Sequence, residues 1–80
     1  PHFDGLWCFR DAQGNVNRNL LKRVPQGLYA APLGRPGRAL TYAALDDTLF
    51  QAGDMSYLFL SEDEALWRSN TQEIFLERCG

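Results

Sequence analysis

Histidine and cysteine are nearly missing from this chain. Of its 80 residues, only His2 is a histidine and only Cys8 and Cys79 are cysteines. One histidine at the edge of the sequence leaves no Ser–His or Cys–His pair for nucleophilic catalysis and no base of near-neutral pKa inside the fold. Neither cysteine has a second Cys or a His at ligand spacing, which excludes a zinc motif. Long apolar runs are absent too: nothing reaches 18 residues, so no segment reads as a membrane-crossing helix. Internal repeats, low-complexity tracts and an interdomain linker are also lacking.

The acidic residues do not fill the catalytic gap. Asp46–Asp47 and Glu62–Asp63–Glu64 are runs of adjacent carboxylates. A glycosidase-type pair needs two carboxylates across a cleft with one desolvated, whereas consecutive acids in a turn stay solvated. A calcium loop needs regular oxygen spacing and a glycine, and neither run has them. "PHF" at the start resembles small tautomerases, in which a proline at the position of Pro1 acts as base. That family needs a long helix next, and "QGN" and "VPQG" would break one. The expectation is therefore a protein that is not an enzyme, with no metal and no cofactor.

What is present is the composition of one small ordered domain spanning residues 1–80, with 45% apolar and 22% charged residues. Short apolar or alternating runs are cut by turn residues throughout. "GLWCFR" ends at "DAQGN", "VNRNLLK" at "VPQG", and "LYAA" at "PLGRPG". "RALTYAA" ends at Asp46–Asp47, "MSYLFLS" at "SEDE", "ALWRS" at "SNTQ", and "EIFLERC" closes the chain. Seven or eight segments at 8–12-residue spacing predict an all-β fold, a small antiparallel barrel or sandwich. Two stretches compete with this. "ALTYAALDDTLF" has apolar spacings that a helix also uses, and Ser61 with Glu64 fits the S-x-x-E capping box, so "SEDEALWRS" could open a short helix. The expected core is Trp7, Phe9, Leu40, Tyr42, Leu58, Leu60, Leu66, Ile74 and Leu76. Trp67 then points away from Leu66 and, if exposed, becomes a hot-spot candidate.

The overall charge of −2 is unevenly placed. Residues 1–40 hold Arg10, Arg18, Lys22, Arg23, Arg35 and Arg38 against Asp4 and Asp11, a net +4; residues 41–80 hold Arg68 and Arg78 against eight acids, a net −6. Such asymmetry marks a charged face or, more simply, halves that neutralise each other across strands. Arginines near Trp7, Phe9 and Tyr29 are the residue types of a single-strand-binding barrel, but the pI of about 5.2 argues against a nucleic-acid partner.

The two cysteines stand near opposite ends, each beside a strand-like run, which favours one bridge and an oxidising compartment. A bridge closing about 70 residues stabilises by roughly 4 kcal/mol in the chain-entropy model, welcome in a domain with a thin core. Two buried, reduced thiols are the alternative.

"YLFLSEDEALWRSNTQEIFLERC" resembles the C-terminal half of the small bacterial inhibitors of c-type lysozyme, the periplasmic and membrane-anchored MliC/PliC group. Tyr57, Phe59 and Ser61 fit the family's aromatic strand, Asp63-Glu64-Ala65 its turn, and Ile74 to Cys79 its last strand; "LWC" at 6–8 fits its first cysteine. The resemblance implies an eight-stranded antiparallel barrel, a bond from Cys8 to Cys79, and a secreted or periplasmic inhibitor that binds a protein. Two departures stand beside it. "DDTLFQAGD" occupies the place of the family's Ser-Gly-x-x-Tyr motif, and Glu62 replaces the Lys-Gly before the acidic turn. A small secreted effector or immunity-type binder of a host or competitor protein fits the same features. The candidate protein-binding residues are Arg35 and Arg38 in "PLGRPGR", Ser61, Glu62, Asp63 and Glu64 in the acidic turn, and Trp67.

Overall fold

The computed structural model describes residues 2–80; Pro1, weighed above as a base, lies outside the described residues. Eight strands make up the chain: Gly5–Arg10 (β1), Val16–Val24 (β2), Gly27–Pro32 (β3), Leu40–Ala44 (β4), Leu49–Ala52 (β5), Met55–Phe59 (β6), Glu64–Arg68 (β7) and Glu73–Arg78 (β8). Each pairs antiparallel with the next, and β8 returns to β1, closing a barrel. A 3₁₀ turn at Pro36–Arg38 is the one helical piece among the described residues, and none there is a helix long and apolar enough to cross a membrane.

Both helical alternatives give way to turns. Asp46 Oδ1 accepts from the Thr48 and Leu49 amides at 2.8 and 2.9 Å, folding residues 45–48 into the β4–β5 connection. The Ser61–Glu64 spacing serves a hairpin: Ser61 Oγ accepts from the Asp63 amide at 3.2 Å, and the Leu60 amide donates to the Glu64 carbonyl at 2.9 Å. No following residues continue as a helix, because Ala65 to Arg68 are needed opposite both β6 and β8.

Side chains alternate between barrel interior and exterior along every strand. Phe3, Trp7, Leu21, Leu28, Phe50, Phe59, Ala65 and Leu76 are buried on the inside. Phe3 stacks on Phe59 with ring centroids 3.9 Å apart, and its carbonyl accepts from Trp7 Nε1 at 2.9 Å, so the segment before β1 plugs one end of the barrel. Of the expected core, Trp7, Tyr42 and Leu76 are buried, and Phe9 and Ile74 pack against them. The other four are corrected. Leu58 and Leu66 face outward, Leu40 is 36% exposed and Leu60 is 52% exposed. In β6 it is Tyr57 and Phe59 that turn in, which sends Leu58 and Leu60 to the other face. In β7, Ala65 and Trp67 turn in, so Trp67 does point away from Leu66, but toward the core.

Cys8 and Cys79 form a disulfide, with Cα atoms 5.1 Å apart. It lies at the β1–β8 seam, where only Trp7–Arg78 and Cys8–Glu77 are in register and the Cys79 amide donates to the Leu6 carbonyl at 3.0 Å. Such a bond is compatible with an extracellular or periplasmic location.

Candidate functional site: an open cup and an acidic closed end

The plugged end and the opposite end of the barrel are built differently. At the plugged end Arg78 acts as a clamp. Its guanidinium lies 4.8 Å over the Trp7 ring and donates to the carbonyls of Glu62, Asp4 and His2 at 2.7, 2.7 and 2.5 Å. Asp63 sits 3.8 Å from it. The β4–β5 and β6–β7 turns share this end, joined where the Phe59 amide donates to the Thr48 carbonyl at 2.8 Å. They carry Asp46, Asp47, Glu62, Asp63 and Glu64 to this end, together with Leu45 and Leu60, which are 58% and 52% exposed.

The other end is open. A cavity of about 670 Å³ runs in from solvent between the β1–β2, β3–β4 and β7–β8 connections. Phe9, Ala30, Tyr42, Met55, Tyr57, Trp67, Ile74 and Leu76 line it. Arg35 and Arg38, from the connection containing the 3₁₀ turn, stand on its rim along with Asp11. Beyond Pro32, the last residue of β3, Gly34, Pro36 and Gly37 keep that connection out of the sheet, so its arginines project past the strand ends.

Polar groups sit inside this apolar cup. Asn19 is only 6% exposed and lines the cavity, yet no described residue bonds its carboxamide. Since no sealed side-chain nitrogen or oxygen goes without a partner, the carboxamide opens into the cup. Tyr57 is in the same position: its hydroxyl meets no partner among the described residues and its side chain lines the cavity. Tyr42 Oη accepts from Trp67 Nε1 at 3.1 Å, fixing the indole plane. Burial pushes the pKa of both tyrosines up, strongly for Tyr57, so both stay neutral hydroxyls. On the rim, Asp11 is held below the ordinary carboxylate range, chiefly by the Asn17 amide group and also by the Asn15 and Gln13 backbone and the charge of Arg35.

Of the sequence-derived candidates, Arg35, Arg38 and Trp67 meet at the cup, whereas Ser61, Glu62, Asp63 and Glu64 gather at the opposite end. The charged halves of the chain do not neutralise each other by ion pairing. Among the described residues the pairs are Arg68–Glu73 at 2.5 Å and Arg78–Asp63 at 3.8 Å, both within residues 41–80. Asn17, Asn19, Tyr42 and Tyr57 were not among the candidates. The signal for the asparagines is parity: in "NRNLL" they stand two and four residues before Leu21, on the face that Leu21 buries. Comparison with protein-family models, with curated proteins and with solved structures finds no match to this chain.

Proposed function

We propose that this protein is a non-catalytic binding barrel of an oxidising compartment and that it takes up a small molecule at its open end. One observation carries the reading: a cup of about 670 Å³ with apolar walls into which the carboxamide of the nearly buried Asn19 opens. Small-molecule sites have this size and this mixture of apolar lining with a few placed polar groups, and the mouth of an eight-stranded barrel is wide enough for one small ligand. The disulfide supports an extracellular or periplasmic setting. A fluorescent aryl sulfonate, 1-anilinonaphthalene-8-sulfonate, tests the site. It should bind one-to-one with increased emission, and Ala30→Phe, which projects a ring from β3 into the cup, should weaken it at least about tenfold. Equal binding by the folded Ala30→Phe protein would place the dye elsewhere and remove the cup from consideration.

A second reading rests on the closed end. Exposed Leu45 and Leu60 amid five carboxylates form an apolar anchor with an acidic surround, the make-up of a patch for a protein of basic surface. The resemblance to c-type lysozyme inhibitors implicates the same turn through Asp63 and Glu64. Its test is the lytic rate of a c-type lysozyme as the oxidised protein is titrated in. Stoichiometric loss of activity that Leu60→Asp abolishes would establish inhibition through this end, and no loss at high micromolar protein would discard lysozyme as the target.

A further inference from the structure

We infer that the cup selects a small planar ring that carries a hydrogen-bonding hydroxyl or amide at its inserted end and an anionic group at its outer end, a hydroxyaryl carboxylate being the simplest example. The inference rests on the cup being a ligand site and specifies what enters it.

The inserted end follows from groups that no protein atom satisfies. Asn19 offers a donor and an acceptor from one carboxamide, and the Tyr57 hydroxyl offers both from one oxygen; neither has a partner among the described residues. Tyr42 adds a second hydroxyl, whose oxygen accepts from Trp67 while its proton finds no acceptor among the described residues. Groups that open to solvent are hydrogen-bonded by water until a ligand replaces it. An aliphatic chain end would displace that water and return nothing, which lowers affinity. A ligand end that donates and accepts replaces it without loss.

The body follows from the walls. The Tyr42 and Tyr57 rings stand 5.0 Å apart and edge-to-face, and Trp67 is locked by its bond to Tyr42. Rigid aromatic walls favour a flat partner, since their quadrupoles reward stacked or edge-on rings and lose no rotamer freedom on binding.

The outer end follows from charge. Arg35 and Arg38 make no ion pair, and both line the mouth. Asp11 is the one carboxylate lining the cup, and its oxygens are already taken by the Gln13 and Asn15 amides at 3.0 and 2.9 Å and by Asn17 Nδ2 at 3.2 Å. A ligand anion therefore faces Arg35 and Arg38, with Arg18 also on the lining, against one occupied carboxylate.

Three probes separate these claims on the wild-type protein by titration calorimetry: 4-hydroxyphenylacetate, phenylacetate and tyramine. The hydroxyaryl acid should bind one-to-one. Phenylacetate, lacking the hydroxyl, should bind about tenfold more weakly, and tyramine, with an ammonium in place of the carboxylate, should not bind measurably. In Asn19→Leu the preference for the hydroxyaryl acid over phenylacetate should shrink, and in Arg35→Ala/Arg38→Ala the hydroxyaryl acid should lose affinity while its preference over phenylacetate is retained. Equal binding of the two acids to wild type would overturn the inserted-end assignment. Tyramine binding as well as the acid would overturn the rim assignment. Both results leave the cup a ligand site. Failure of all three probes together with failure of the naphthalene sulfonate would instead remove the site itself.

Discussion

Gly27 opens β3 with φ at +148°, and a Cβ built there would sit 2.0 Å from the Tyr42 carbonyl oxygen and 2.8 Å from the Ala44 amide. Both are backbone atoms of β4, so no rotamer change relieves the clash, and only glycine lets the strands come this close beside the aromatic cup wall. Asp46 shows the same economy in a charged side chain. One carboxylate oxygen receives two backbone amides and the Thr48 hydroxyl, and these bonds, led by the Thr48 amide, hold its pKa below the ordinary 3.8. The folded pKa is thus lower than the unfolded one. Its stabilising contribution is fully present above pH 3.8 and is lost as pH falls through the folded value. Asp46→Asn keeps an acceptor oxygen but no charge. Its thermal midpoint should lie below that of the wild type at pH 6, and the gap should narrow as pH drops below about 3.8. A gap of constant size from pH 6 to pH 2 would mean that the carboxylate charge contributes nothing to the turn.

Strands and turns were legible because each run meets turn residues whose chemistry is local. Asp11 receives the Gln13 and Asn15 amides, and Asp46 receives those of Thr48 and Leu49. Parity was less legible. "MSYLFLS" is apolar on both faces, so period two alone does not say which face turns in. The answer lies in residues distant in sequence: Phe59 meets Phe3, Trp7 and Phe50 at 3.9, 5.3 and 5.8 Å between ring centroids. That three-sided aromatic contact brings Phe59 and Tyr57 in and leaves Leu58 beside Leu49 and Leu66 on the outer wall. The S-x-x-E spacing at 61–64 was ambiguous for another reason. A hydroxyl that accepts an amide two residues on serves a hairpin turn as well as a helix start. For the cup, Arg35, Arg38 and Trp67 stood out only as exposed charge and an outward-facing aromatic residue for a protein partner, whereas Trp67 packs inward. Asn19 was not legible because it lies between Arg18 and Leu20, both exposed, in a segment rich in basic residues.

At the scale of the whole barrel, one pairing differs from all the others. Seven of the eight strand pairings join neighbours through short connections, whereas β1 and β8 meet across 71 residues, and like β4 and β5 they share only two register pairs. Loop-closure entropy is therefore concentrated in a single seam, and little strand pairing is there to offset it. The disulfide supplies what the seam lacks, since cross-linking residues so far apart removes unfolded-state freedom equivalent to about 4 kcal/mol. A meander whose hairpins form first would leave the seam open in the folding transition state. In that case the bond's contribution falls on the unfolding rate. Replacing both cysteines, Cys8→Ser with Cys79→Ser, should lower the thermal midpoint by more than about 10 °C. In stopped-flow kinetics it should raise the unfolding rate at least about tenfold while the refolding rate changes less than about threefold. The opposite partition, slower folding with unchanged unfolding, would mean that β8 docks on β1 before the transition state. The barrel would then form around its seam rather than close upon it.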